Sequence, residues 1–208
     1  MRDIVEIGIG REARRTYELD DIALVPTRRT RSSKDVDTSW RIDAYDFELP
    51  MMMHPTDAIA SPESVAEFAR LGGLAVLNAE GIWARHADAQ DKIAELVKLA
   101  KNAATKRESE AVNRKLQELH SAPIDTELLV ERIKEIRATG AITAVRVSPQ
   151  HARELAPVVI KAGAELLFIH GTLISAEHVQ TGGEPLNLKE FIGSLDTPVI
   201  AGGGADYT

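Results

Sequence analysis

Cysteine is absent from all 208 residues, so this chain alone can build neither a disulfide nor a thiolate metal site. Such a composition fits a cytoplasmic protein. Long apolar runs are also missing, and no window approaches the roughly 18 apolar residues that a membrane span requires. The opening MRDIVEIGIGREARR carries acidic residues and no continuous apolar stretch, which excludes a secretory signal. Positive charge is in deficit, with 25 Lys and Arg against 32 Asp and Glu and a net charge of -7. That balance argues against a general nucleic-acid or membrane-surface binder. The one dense basic cluster, Arg28, Arg29 and Arg31 with Lys34 nearby, reads as a solvated loop. What is present is the makeup of a soluble domain, 44% apolar and 27% charged, and long enough for one sizeable core.

The apolar pattern predicts strands alternating with helices. Residues 1–45 form an irregular lead-in, in which Ile22–Val25 is a short apolar run closed by Pro26. Five short apolar segments then read as buried parallel strands: Phe47–Met53, Leu74–Leu77, Ile142–Val147, Leu166–Ile169 and Val199–Ala201. Ser61 and Pro62 supply an N-cap and first-turn proline to a helix that Gly72-Gly73 terminates. Residues 87–119 read as two surface helices broken near Thr105. Asp125 caps a further helix striped by Leu129, Ile133 and Ile136 and ending near Gly140. Ser148-Pro149 repeats the cap-plus-proline signal, and that helix stops at Gly163, with Pro157 either kinking it or marking its real start. Gly182-Gly183 and Pro185 mark a loop, Asn187 with Glu190 resembles a capping box, and Ala205–Thr208 would begin another helix.

Helical crossovers between strands imply a parallel sheet, either open and doubly wound or closed as a barrel. Polar residues cluster just past the strand ends: His54, Thr56 and Asp57; Asn78 and Glu80; Arg146 and Ser148; His170 and Thr172; then Gly202-Gly203-Gly204. Both architectures place their sites on that face, and a face built from five strand ends is more typical of a barrel.

Several segments carry a family resemblance. Leu19-Asp20-Asp21-Ile22-Ala23-Leu24-Val25-Pro26, completed by Asp35-Val36-Asp37, is similar to the F-D-D-V-L-L-V-P opening of IMP dehydrogenases. LPMMMHPTDAIASPE (Leu49–Glu63) resembles their first barrel strand and loop, Leu71–Leu77 their Q-G-G-I-G-I-I-H, and Thr197–Gly203 their V-I-A-G-N-V. The sequence is thus identified as resembling the IMP dehydrogenase/GMP reductase family. His54-Pro55-Thr56-Asp57-Ala58 and Asn78–Trp83 resemble its IMP dehydrogenase-related bacterial branch, and residues 84–122 are too few for the family's CBS modules.

The resemblance implies an α/β fold made of part of a (β/α)8 TIM barrel, about the first five β/α units. Residues 1–45 would be a lead-in and 46–208 an incomplete catalytic domain. It implies a tetrameric homo-oligomer and NAD(P)-linked hydride transfer at C2 of a purine nucleotide: IMP, GMP or XMP. In that chemistry a cysteine captures the purine covalently, splitting a hard step in two, while the nicotinamide carries the redox change. The family's cysteine and K+ loop would fall beyond Thr208, so the chain is expected to be inactive alone, with the open barrel prone to association at its edges. A non-catalytic nucleotide-binding or assembly protein on the same scaffold is the alternative.

Residue by residue, Met53 and Pro55 stand where the family lines the nucleotide with a serine and a proline, and Asp57 matches its P-M-D aspartate. Asp57 equally suits loop capping. His170 replaces an aspartate that holds the nicotinamide ribose, with Gly171 and Thr172 beside it, and equally suits a hydrogen-bonded strand end. Asn78 replaces a histidine near the cofactor, and Gly203 an asparagine near the base; Gly202 and Gly203 would let backbone approach the nucleotide or simply turn the chain. His54 reads as either a substrate contact or a packed loop residue, and Glu80 is a weaker candidate. His86, His120, His151 and His178 lack partners at metal-ligand spacing and read as structural or solvated; no metal site is expected.

Overall fold

The computed structural model describes residues 4–202 apart from 16, 18, 27, 30, 31, 172–175 and 180–183. Of the residues singled out above, Arg31, Thr172, Gly182, Gly183, Gly203 and Gly204 lie outside the described residues, as does the helix expected from Ala205. The chain divides into two units, Met1–Asp37 and Thr38–Thr208.

The first unit is more regular at its start than its sequence suggests. Strands β1 (Ile4–Gly8) and β2 (Arg11–Arg14) pair as an antiparallel hairpin, with Gly10 at φ +69° in the turn. Left-handed backbone is what such a tight turn demands, and glycine adopts it without Cβ strain. Ile22–Val25 has no regular structure, and Leu24 and Val25 are exposed.

The second unit opens with another hairpin, β3 (Trp40–Ile42) against β4 (Tyr45–Phe47). Trp40 stacks on Phe47 with ring centroids 4.7 Å apart, and its indole Nε1 donates to the Leu49 carbonyl at 2.8 Å. The expected strand Phe47–Met53 is therefore divided. Phe47 closes the hairpin, and only β5 (Met52–Met53) joins the parallel sheet. Pro50, which has no N–H to give to a ladder, sits at the break.

Helix α1 (Pro62–Arg70) starts as expected: the Ser61 hydroxyl accepts the Ser64 N–H and the Ser64 hydroxyl accepts the Ser61 N–H. Strand β6 (Leu74–Asn78) and a short 3-10 turn (Ile82–Ala84) follow. The segment 87–119 forms α2 (Ala89–Lys101) and α3 (Lys106–Ser121), separated at Thr105, which makes a reciprocal cap with Glu108. Asp125 caps α4 (Thr126–Ala138), accepting from the amides of Glu127 and Leu128.

Strand β7 (Ala144–Val147) leads into α5 (Ala152–Ala162), which begins later than Ser148-Pro149 suggests. Ser148 makes a turn of its own instead, its hydroxyl accepting the His151 N–H at 3.3 Å. Pro157 marks neither the start nor an end of α5, which continues through it and stops at Gly163, φ +109°. Strand β8 (Leu166–His170), the small pair β9 (Glu177–His178) and β10 (Leu186–Asn187), α6 (Leu188–Gly193) and β11 (Val199–Gly202) complete the unit. Asn187 caps α6 by accepting the Glu190 N–H.

Five parallel strands form one curled, half-barrel sheet in the order β11-β8-β7-β6-β5. Side chains alternate across a strand, and residue parity divides the sheet cleanly. The odd positions Ala75, Leu77, Val145, Val147, Leu167 and Ile169 pack outward against Val65 of α1, Leu129 and Ile133 of α4 and Leu155 and Val159 of α5. Each such fully buried aliphatic side chain contributes on the order of 2 kcal/mol. The even positions Leu74, Val76, Ala144, Leu166 and Phe168 form the inner face, covered at one end by Trp40, Ile42, Tyr45 and Phe47 of the β3–β4 hairpin. The inner face is thus plugged at the strands' N-terminal end, and its far end stays open. Among the described residues, no helix is long and apolar enough to cross a membrane.

Candidate functional site

The same parity that builds the inner core sets what stands at its open end. Continuing each strand by one even position gives Asn78, Arg146, His170 and Gly202, where small and polar groups replace the aliphatic ones. Asn78 pairs with Arg146 and Gly202 with His170 in the strand register. All four belong to consecutive strands of one sheet.

Arg146 ties this end together. Its guanidinium donates to the His170 carbonyl from Nε at 3.0 Å and from Nη2 at 2.6 Å, and to Asn78 Oδ1 from Nη1 at 3.2 Å. Glu80 Oε2 stands 3.6 Å from the same Nη1, with the two side chains only 17% and 14% exposed. Glu80 also accepts the Ser148 backbone N–H through Oε1 and lies 3.3 Å from His151 Nδ1. A charge in so dry a place is held by pairing and by hydrogen bonds to nearly every donor it carries.

His170 lies beside this charge. Burial, then the nearby Arg146 cation, then His54 all hold its imidazole below the ordinary histidine value. It is therefore neutral at pH 7, able to donate through one ring nitrogen and accept through the other. His54 meets it edge-on with centroids 5.2 Å apart. Gly202 completes the arrangement, since a Cβ there would lie 3.2 Å from His170 Cδ2.

Asp57 is placed differently. Its Oδ2 accepts the Ile82 N–H at 2.8 Å, capping the 3-10 turn, and lies 3.6 Å from His120 Nε2. Oδ1 is buried with no partner among the described residues, pressed against Gly81, where a Cβ would sit 1.9 Å away. Pro55 is buried and Gly171 half-buried. Met53, an odd-parity neighbour of Ala75, packs against the outer, helix-side core, so its side chain is turned away from the inner face that its sequence position suggests.

A cleft of 580 Å³ runs over these strand ends, lined by His54, Pro55, Asp57, Asn78, Arg146 and His170 on one side and by residues of α2 and α3 on the other. That volume is in the range of small-molecule sites. A separate 370 Å³ hollow lies at the opposite end of the strands, around Gly72, Gly73 and Gly140, away from the polar cluster. Among the described residues, no group of His, Asp and Glu is arranged to hold a metal ion.

Sequence reasoning did not find the Arg146–Glu80 pair, the seat of His151 on Glu80, or the approach of His120 to Asp57. Strand parity was the available signal for Arg146. For His120 the four-residue spacing from Leu116 puts both on one face of α3, but nothing in that spacing points to Asp57.

A parallel β/α half-barrel with a polar cleft at its strand ends defines the class: an α/β domain of the kind that binds small molecules at the C-terminal side of its sheet. No protein-family model matches the chain. An IMP dehydrogenase/GMP reductase-like protein from Corynebacterium glutamicum superposes with a TM-score of 0.88 at 64% identity, covering 99% of this chain and 53% of that one. An uncharacterized oxidoreductase of Mycolicibacterium smegmatis is 57% identical over 204 residues, which is 98% of this chain and 54% of the relative. An inosine-5'-monophosphate dehydrogenase of Methanocaldococcus jannaschii is 33% identical over 67 residues, 32% of this chain and 14% of the relative. The chain therefore belongs with the IMP dehydrogenase/GMP reductase-like proteins, and it spans about half the length of the oxidoreductases it matches.

Proposed function

We propose that this chain supplies the strand-end walls of a purine-nucleotide oxidoreductase, with hydride transfer between C2 of IMP or GMP and NAD or NADP. In this reading the half-barrel corresponds to about the first five units of a (β/α)8 barrel, acting in the cytoplasm on guanine nucleotides as a homo-oligomer. One observation carries it. Asn78, Arg146 and His170 converge from three adjacent strands on one 580 Å³ cleft in a chain whose relatives are oxidoreductases.

The residues present suit such ligands. Neutral His170 offers one donor and one acceptor to ribose hydroxyls or a carboxamide, and the Asn78 amide offers the same pair of functions. Gly202 leaves backbone open to a flat ring beside the imidazole. Arg146, fixed by His170 and Asn78 and paired with Glu80, holds the floor of the cleft in shape and keeps the Asn78 and His170 groups in place. A bound nicotinamide supplies the hydride chemistry itself. The chain's own residues bind and orient, and with no cysteine in the sequence they offer no thiolate to attack the purine.

The departures of Asn78 and His170 from the family's histidine and aspartate favour a second reading, nucleotide binding without turnover. Calorimetry of this chain with IMP, GMP and XMP against an AMP control, followed by absorbance of the reduced cofactor with IMP plus NAD and GMP plus NADPH on a protein of the relatives' full length, separates the two. Purine-selective binding with turnover supports the oxidoreductase, and binding without turnover supports the second reading. Failure of all three nucleotides to bind sinks both.

A further inference from the structure

The wall of the cleft opposite the strand ends comes from an unexpected source. Helices α2 and α3 form an antiparallel pair whose far end, near Thr105, is exposed, while the near end is fastened to the sheet unit. His86 Nε2 donates to the Leu119 carbonyl at 2.9 Å, Arg85 donates to the Ala122 carbonyl, and Leu119 is buried with Ile82, Trp83 and Ala89. From this fixed base Ile93, Leu96, Leu116 and His120 face the cleft. Leu116 is 40% exposed and the His120 side chain 39%, so the apolar shelf is accessible and ends in an imidazole.

Asp57 gives that imidazole a defined setting. Its Oδ2 is anchored by the Ile82 N–H and stands 3.6 Å from His120 Nε2, which favours the tautomer carrying its proton on Nε2. Nδ1 has no partner among the described residues and is left as an acceptor. An apolar shelf with one acceptor at its edge recognises a flat heteroaromatic ring bearing an N–H donor. The cleft joins this shelf directly to His54, Asn78 and His170, so the ring and the strand-end groups would serve one elongated ligand.

The geometry points to the α2–α3 pair as a specificity wall for a dinucleotide. Leu96 and Leu116 pack on one heteroaromatic ring and His120 Nδ1 accepts from its amino or amide nitrogen. This rests on the reading that the strand-end face takes a nicotinamide dinucleotide. Adenine and the nicotinamide carboxamide share the required chemistry, and the two halves of NAD tell them apart.

The test measures binding of NAD, ADP-ribose, nicotinamide mononucleotide and GMP to the 208-residue protein and to its Leu116→Ala and His120→Ala variants. Val97→Ala, on an exposed position of α2 outside the cleft, serves as the control. Both cleft variants are expected to bind NAD about tenfold more weakly, with GMP affinity and melting temperature unchanged and with the control like the parent. The half of NAD that shows the same loss identifies the ring. Equal NAD binding by parent and cleft variants overturns this inference alone, and so does a parallel loss of GMP binding. If the parent binds GMP but no dinucleotide or either half of one, the wall has no such role. If it binds neither GMP nor a dinucleotide, the proposed function falls with it.

Discussion

Replacing Arg146 with methionine is expected to destabilise the protein by about 3 kcal/mol, near the low end for breaking a buried pair because some solvent reaches both partners. Methionine keeps most of the length and none of the donors. The His170 carbonyl loses both of its guanidinium bonds, Asn78 Oδ1 loses one, and Glu80 keeps only the Ser148 amide and His151. Urea unfolding at pH 7 measures the cost.

The same variant carries a second, local signature. In the parent, His170 is held below its ordinary value first by burial and then by Arg146. Removing the cation raises the imidazole pKa, and burial, the larger cause, keeps it below about 6.5. The sign for stability follows. The unfolded chain binds the proton more tightly than the folded one, so this residue's contribution is complete above about pH 6.5. It is lost as pH falls from there towards the folded-state value. Proton-detected NMR titration of the His170 ring should show a higher midpoint in Arg146→Met. An unchanged midpoint would mean that the guanidinium does not act on that ring.

The second large effect is expected at Gly81. A Cβ there would stand 1.9 Å from Asp57 Oδ1 and 2.7 Å from Cγ, contacts no alanine tolerates. Gly81→Ala must drive the carboxylate from its pocket, breaking its bond to the Ile82 amide and its approach to His120. Overpacking and an unpaired buried N–H together cost about 2–4 kcal/mol. Gly193, where an added Cβ meets nothing within 4 Å, is the matched control and should be close to neutral. Coupling between neighbours decides the cause. Asp57→Ala combined with Gly81→Ala should cost less than the two single changes added together. Strict additivity would show that the glycine is needed for some other reason.

Much of this fold was legible because its local signals agree with one another. Ser61, Thr105, Asp125 and Asn187 each cap the helix that their side-chain chemistry suggests, and the last four of the five apolar runs became strands within two residues of their expected ends. The misreadings arise where two signals compete. Phe47–Met53 looks like one buried strand because Phe47 and Met53 are both apolar. They serve different cores, Phe47 on the inner face beneath the sheet and Met53 on the outer, with Pro50 between them. Ser148-Pro149 looks like a helix start, yet Glu80, far away in sequence, takes the Ser148 amide and the helix waits until Ala152.

The candidate site was half legible. Asn78, His170 and Gly202 were readable as strand-end residues. Arg146 stood in plain view, but its partners Glu80 and Asn78 are 66 and 68 positions away, too far for any local pattern to reveal. His120 was harder still. Its meeting with Asp57 depends on how the α2–α3 pair folds back over the sheet, which no spacing within one helix encodes.

The central claim is that purine nucleotide binds over the open end of this half-barrel, and the histidines report on it individually. His54 and His170 stand at that end, whereas His86 is occupied by the Leu119 carbonyl and His178 is half-buried on β9. In histidine-labelled protein titrated with GMP, IMP or XMP, the ring signals of His54 and His170 should move together and saturate, with those of His86 and His178 stationary. Saturable binding that leaves His54 and His170 unmoved, or moves only His86 and His178, would place the nucleotide elsewhere and contradict the account.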